Sequence, residues 1–219
     1  MQRLLLALNK FAYVSPYLIP RLRAARMRIM LDLLNLPSRA RIIDLGGSEY
    51  NWKLIDHDFH VTMVNLPGCN DRSSDPAKYE LVEGDACDLR DKYPDNSFDA
   101  VFSNSTIEHV GDEHKQAMFA AEVRRLAPIY WVQTPSPKFP IEIHTGLPLY
   151  WNLSDSARAR KHERWHKKWP AWTDMIRETR VLSRERMLEL FPDAKFYTER
   201  KFGLEKSNTA YRTARTPEG

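Results

Sequence analysis

Short apolar runs bounded by polar or turn residues recur from residue 41 onward, each about as long as one strand. Arg41-Ile42-Ile43-Asp44-Leu45 leads into Gly46-Gly47, and His60-Val61-Thr62-Met63-Val64-Asn65 and Tyr79-Glu80-Leu81-Val82-Glu83 follow. Phe98-Asp99-Ala100-Val101-Phe102-Ser103 and Ile129-Tyr130-Trp131-Val132-Gln133-Thr134 complete a set of five. Short runs rich in β-branched and aromatic side chains read as strands. Between the last two, Ser105 to Leu126 offers Ile107, Val110, Met118, Phe119 and Val123 to one face and predicts a helix. Upstream, Leu22, Met27, Met30, Leu31, Leu33 and Leu34 recur at spacings of three to four, also helical, with Pro16 and Pro20 dividing residues 1–36 into two pieces. Strands alternating with helices call for crossover connections and a sheet covered on both faces. The pattern predicts an α/β fold with a doubly wound, mostly parallel sheet.

The late sequence changes character. Ser183-Arg184-Glu185-Arg186 opens a helix running through Met187 to Phe191 and stopped by Pro192. Ala194 to Glu199 and Lys206 to Arg212 alternate apolar and polar residues and predict an antiparallel edge pair. Residues 135–180 form a connection far longer than the usual loop. Trp151, Trp165, Trp169 and Trp172 fall inside it, together with Arg158, Arg160, Lys161, Arg164, Lys167 and Lys168. That aromatic density argues for a folded cap, placed over the carboxyl ends of the strands where open α/β sheets take their ligands. The division predicted is one domain over 1–219: N-terminal helices (1–36), a core (38–135), the cap (135–180), and a final helix with edge strands (183–212).

Composition narrows the class. The 219 residues are 42% hydrophobic and 28% charged, which is ordinary for a globular chain. Two cysteines, Cys69 and Cys87, exclude a disulfide framework and a four-cysteine zinc site. The apolar run at Leu4–Leu8 is too short for a signal-peptide core, and no stretch approaches a membrane span, so a cytoplasmic protein is expected. A net charge of +4 makes no demand for nucleic acid. Residues 1–36 carry Arg3, Lys10, Arg21, Arg23, Arg26 and Arg28 against Asp32 alone. Such a helix is compatible with peripheral contact to a membrane surface, though a helix packed over the sheet with a solvated basic face is the simpler expectation.

The residues that carry chemistry begin at Ile42-Ile43-Asp44-Leu45-Gly46-Gly47-Ser48. A glycine turn after a first strand lets a ligand approach the backbone. Counting from Gly46, the later positions of a dinucleotide fingerprint hold Ser48 and Asn51, and no Gly-Lys-Ser/Thr is present, so neither phosphate motif is met. Gly84-Asp85-Ala86 ends the third run, Asp95-Asn96-Ser97-Phe98-Asp99-Ala100-Val101 leads into the fourth, and Ser103-Asn104-Ser105-Thr106-Ile107-Glu108-His109-Val110 follows it. In these three motifs and their order, residues 38–135 resemble the class I S-adenosylmethionine-dependent methyltransferases, the broad small-molecule group in particular. The resemblance implies a Rossmann-like fold with S-adenosylmethionine as cofactor. It implies Asp44, Gly46, Gly47 and Ser48 as the loop cradling the methionine part, Asp85 and Ala86 at the adenine, and Ser103 and Asn104 at the methyl-donor end. Asn65 stands where the family usually has an acidic residue gripping the ribose hydroxyls; an amide accepts and donates there without charge assistance.

Methyl transfer is an in-line displacement, so holding the nucleophile in place is the main task. A hydroxyl nucleophile also has to lose its proton, and histidine suits that work at neutral pH. His144, with Glu142 two residues earlier as orienter, and His109 are the candidate bases. In the family, Ile107-Glu108-His109-Val110 is a frequent sequence whose histidine often serves packing. Glu142, His144 and Asp112 lack a fixed ligand spacing, so no metal is expected. No Pro-Pro-Tyr or Pro-Pro-Phe follows the fourth strand, as base-amino methylases of the family would have. The reading is therefore methyl transfer to a small-molecule or glycan/lipid-linked hydroxyl. A nucleic-acid methyltransferase, favoured by the basic helix and cap, and a catalytically silent partner protein with the cofactor fold, favoured by Asn65, are the alternatives.

Overall fold

The computed structural model describes residues 18–69, 72–142 and 144–214. The first helical piece expected before Leu18 lies outside them. Helix α1 (Leu18–Leu34) takes Pro20 into its first turn, where a missing N–H breaks no intrahelical bond. Ala24, Met27, Met30 and Leu34 form its buried stripe. Asn35, at φ +46, ends it, and its N–H returns to the Leu31 carbonyl at 3.0 Å.

Seven strands follow: β1 (Arg41–Leu45), β2 (His60–Asn65), β3 (Tyr79–Glu83), β4 (Ala100–Asn104), β5 (Ile129–Pro135), β6 (Lys195–Lys201) and β7 (Leu204–Arg212). They form one sheet in the order β3-β2-β1-β4-β5-β7-β6. The first five are parallel; β7 runs antiparallel to both β5 and β6. The sheet is therefore Rossmann-like, mostly parallel with a late antiparallel strand. β4 begins two residues later than the apolar run suggests. Asp99 instead clamps the start of β1, accepting from the Arg41 amide at 2.7 Å and donating back to its carbonyl at 2.9 Å.

The alternation along each strand sorts two cores. Ile42, Met63, Phe102 and Trp131 face α1 together with Trp52 and Phe59. Ile43, Leu45, Val101, Tyr130 and Val132 face the other way, onto α3 (Glu113–Leu126) and α6 (Arg184–Leu190).

Among the described residues of the parallel part, β1 to β5, a helix longer than one turn joins consecutive strands only between β4 and β5. The helix after the glycine turn is a single turn, α2 (Glu49–Trp52), and among the described residues the β2–β3 and β3–β4 connections are turns. The single helix expected over Ser105–Leu126 is also divided. A 3-10 turn spans Ile107–His109, Gly111 takes φ +123, and Asp112 caps α3 by accepting from the Lys115 amide at 2.9 Å. Glycine adopts that backbone without the clash a side chain would suffer, so it breaks the helix here.

Within 135–180 lie a 3-10 turn (Tyr150–Asn152), α4 (Asp155–His166) and α5 (Pro170–Glu178). Trp165 packs between Tyr150 (6.4 Å between centroids) and Trp172 (5.2 Å), while Trp151 meets Tyr150 at 5.0 Å and Trp169 meets Trp172 at 6.1 Å. All four tryptophans of this stretch are engaged in one aromatic cluster. The stretch is fastened to the sheet edge through Arg180, whose N–H donates to the Glu108 carbonyl at 2.7 Å and whose own carbonyl accepts from Gln116 Nε2 at 3.1 Å.

Candidate active site

From β1 the chain steps outward to β2 and β3, then returns to place β4 on the other side of β1. Connections on either side of such a reversal leave a crevice at the carboxyl ends of the strands. Gly46 and Gly47 lie there, between β1 and α2. A Cβ on Gly46, at φ +76, would fall 2.4 Å from Thr106 side-chain atoms, and one on Gly47 would fall 1.9 to 2.2 Å from the Asp44 carboxylate. The positive φ favours glycine at position 46, a side chain at 47 would have to displace the Asp44 carboxylate, and the loops after β1 and β4 touch. Asp44 is fully buried: Oδ2 accepts from Trp52 Nε1 at 2.8 Å, and Oδ1 has no hydrogen-bond partner among the described residues. Burial pushes its carboxyl up to about 7, with the Trp52 hydrogen bond opposing the rise.

Asn65, at the end of β2, donates from Nδ2 to the Gly47 carbonyl at 2.9 Å, and Gly84 N–H returns to the Asn65 carbonyl at 2.8 Å. Ser48 is exposed and precedes α2. A cavity of about 360 Å³ opens among Gly47, Ser48, Tyr50, Met63, Asn65 and Leu81. Beyond β3, Asp85 is exposed, accepting from the Cys87 amide at 2.9 Å and pairing with Lys115 at 3.1 Å. Burial raises its carboxyl, but the Cys87 amide and the Lys115 ammonium outweigh this and hold it below the usual carboxylate range. Ala86 packs, half-buried, against the α3 side of the core.

The two residues at the end of β4 differ in kind. The Ser103 hydroxyl is fully buried and donates to the Leu45 carbonyl at 3.0 Å, so it locks β4 to β1. Asn104 is half-exposed and accepts at Oδ1 from Arg26 of α1 at 2.8 Å; the same guanidinium pairs with Glu199 of β6 at 2.7 Å. One arginine thus joins the N-terminal helix, the end of β4 and the far edge of the sheet, a junction the sequence pattern did not signal.

A second group stands past the ends of β4 and β5. These strands are adjacent and in register from Ala100↔Ile129 to Asn104↔Gln133, so the segments leaving them emerge side by side. His109 Nε2 lies 3.0 Å from His144 Nε2. His144 Nδ1 lies 2.6 Å from Glu142 Oε1, and Glu142 also accepts from the amides of His144 and Thr145. Burial lowers the His144 pKa, but the Glu142 hydrogen bond and charge outweigh it and the net shift is upward. Burial and the neighbouring His144 lower that of His109. Glu108, fully buried, accepts from Thr134 Oγ1 at 3.0 Å, and burial raises its carboxyl to about 7. The sequence pairing of His144 with Glu142 and the nomination of His109 are brought together here. Glu108 was missed because it reads as one more residue of a helical turn; its only sequence signal was adjacency to His109.

A family model described as a methyltransferase domain matches residues 44–128. Among solved structures, the PH0226 protein from Pyrococcus horikoshii OT3 superposes with a TM-score of 0.58 at 17% identity, covering 90% of this chain and 91% of that one. A SAM-dependent methyltransferase from Archaeoglobus fulgidus gives 0.57 at 12% identity, over 88% and 94%. A putative methyltransferase from an antibiotic biosynthesis pathway of Anabaena variabilis gives 0.51 at 18% identity, over 78% of this chain but only 62% of that one. No curated protein matches the sequence.

The chain has the fold of class I methyltransferases, and residues 44–128 match a methyltransferase domain. These matches support S-adenosylmethionine as the cofactor, and the residues around the glycine turn fit it. The glycine pair leaves backbone where side chains would otherwise stand, and Asp44 Oδ1 beneath it, without a partner among the described residues, can anchor a loop closing on a cationic ligand. No helix among the described residues is long and apolar enough to cross a membrane.

Proposed function

We propose that the protein transfers the methyl group of S-adenosylmethionine to a hydroxyl of a small-molecule or glycan-type acceptor. The single observation carrying this reading is the Glu142–His144–His109 arrangement at the carboxyl edge, beside the ends of β4 and β5. The cofactor supplies an electrophilic methyl on a sulfonium; the remaining tasks fall to the chain. Gly46, Gly47, Ser48 and Asn65 would hold the cofactor's methionine and ribose parts, and Asp85 with Ala86 its adenine. Glu142 fixes the His144 ring through Nδ1, leaving the Nε2 lone pair at the place where the acceptor hydroxyl loses its proton. Ser103 acts by fixing β4 to β1, and Asn104 is positioned by Arg26.

The acceptor's place in this reading is a cavity of about 670 Å³ between α3 and the cap, lined by Gln116, Tyr150, Trp151, Arg158, His162 and Thr179 among others. Aromatic faces beside arginines suit a polyhydroxyl or acidic acceptor. The test is incubation with methyl-labelled cofactor and a panel of hydroxyl, amine and nucleic-acid acceptors. Label recovered as an O-methyl ether supports the proposal; label found only on nitrogen or nucleic acid overturns it.

A further inference from the structure

We propose that Glu108, His109 and His144 form a binding site for one divalent transition-metal ion, with Glu142 orienting His144 from behind. One ligand atom from each of the three lies within 4.8 Å of the other two.

The hydrogen-bond partners fix where the ring protons are. Glu142 Oε1 can only accept in its ionised form, so His144 Nδ1 carries a proton. The Thr179 hydroxyl donates its one proton to the Met175 carbonyl at 2.8 Å, so at 3.3 Å it accepts from His109 Nδ1. Both Nε2 atoms are then left with lone pairs, and these face each other at 3.0 Å. Beside them Glu108 is fully buried, with Oε1 lacking any partner among the described residues while Oε2 is taken by Thr134. Three groups with ligand-type atoms converge, and among the described residues none of these atoms meets an N–H or O–H donor from outside the group, an arrangement that a cation resolves.

The distances suit an ion. Two imidazole nitrogens bound at about 2.1 Å and at right angles stand about 3 Å apart, the separation found for His109 and His144. Glu108 needs a modest approach to complete one face of an octahedron. Two histidines and one carboxylate on one face leave positions open for oxygen ligands. A carboxylate behind a ligating imidazole is the usual outer support of such sites. The His109–His144 contact is solvent-exposed, which gives the ion a path in. Imidazole ligands favour zinc, cobalt or nickel over magnesium and calcium.

The site deepens the methyl-transfer reading and rests on it for the acceptor's position. An ion here would bind the acceptor hydroxyl and lower its pKa. The O–H bond breaks, its electron pair stays on oxygen and the proton leaves to solvent, so His144 uses Nε2 for the ion rather than for the proton. An acceptor with two adjacent oxygens, such as a vicinal diol, would fill the open positions.

The experiment is calorimetric titration of chelator-treated full-length protein with Zn²⁺, repeated with Co²⁺ to record its visible spectrum. One ion per chain is expected, with a cobalt spectrum free of thiolate bands. His109→Ala and His144→Ala should each weaken binding at least tenfold, and Glu142→Gln about 10- to 100-fold. Glu108→Gln, which keeps the buried shape, should weaken it as well, while His166→Ala should not. Absence of binding, or affinity unchanged in both histidine variants, overturns the site. S-adenosylhomocysteine binding is measured on the same samples. Its retention alongside failed metal binding refutes the ion alone, whereas its loss in the parent protein refutes the methyltransferase reading.

Discussion

Asn65 Nδ2 donates to the carbonyl of Gly47 at 2.9 Å, tying the end of β2 to the glycine loop after β1. An acidic side chain could not make this bond, because a carboxylate has no proton to give. The amide therefore has a structural use at this position. Asn65→Asp should lower S-adenosylhomocysteine affinity, by about 1–2 kcal/mol, the scale of orphaning a hydrogen-bonded group. Calorimetry on the variant decides: tighter binding would mean that charge at the ribose outweighs the lost loop contact.

Gly47→Ala tests the loop itself. The added Cβ would land within 2.2 Å of the buried Asp44 carboxylate, so either that side chain or the loop backbone must shift. A loss of about 1–3 kcal/mol is expected, seen as a melting temperature lower by about 2–4 °C per kcal/mol for a chain of this size. Cofactor affinity should fall with it. An unchanged melting temperature would show that the Asp44 side chain moves aside freely.

The pH dependence of stability should carry the signature of Asp44. Its carboxyl binds a proton more tightly folded, at about 7, than unfolded, at 3.8. Between those values the folded chain keeps a proton that the unfolded chain releases, so this contribution to stability falls as pH rises and is fully lost above about 7. The difference is at most roughly 4 kcal/mol. Chemical denaturation at pH 4.5 and 7.5 should show Asp44→Asn gaining relative to the parent at the higher pH; a constant gap between the two would contradict the burial of a proton-binding carboxyl.

Arg26 and Glu199 should prove energetically coupled. Their ion pair is largely shielded from water, with side chains 14% and 17% exposed, and the same guanidinium holds Asn104. A double-mutant cycle of Arg26→Ala and Glu199→Gln is expected to give a coupling of about 1 kcal/mol or more. Additive effects would mean that Lys206, which also pairs with Glu199 at 2.5 Å, suffices alone.

The strands were legible because each face's alternation is written locally: Ile42 and Ile43 lie in different cores, as adjacent strand residues must. The helices were less so. Ser105–Leu126 has continuous helical spacing, yet Gly111 and the Asp112 cap interrupt it, and local backbone chemistry outweighs periodicity there. The glycine turn after β1 and the contact between Glu142 and His144 were readable from motif and spacing. Glu108 was not, since its site partners Thr134 and His144 come from a segment joined to it only when β4 and β5 pair. Arg26 was hidden for the same reason: its contacts with Asn104 and Glu199 span 78 and 173 positions of sequence.

The central claim is that the carboxyl edge at β1, β2 and β3 holds S-adenosylmethionine. Titration of the full chain with S-adenosylhomocysteine tests it most directly, with Asp85→Ala measured in parallel. Saturable binding of one ligand per chain is predicted, weakened in the variant by about 1–3 kcal/mol. No detectable binding at millimolar ligand would contradict the account.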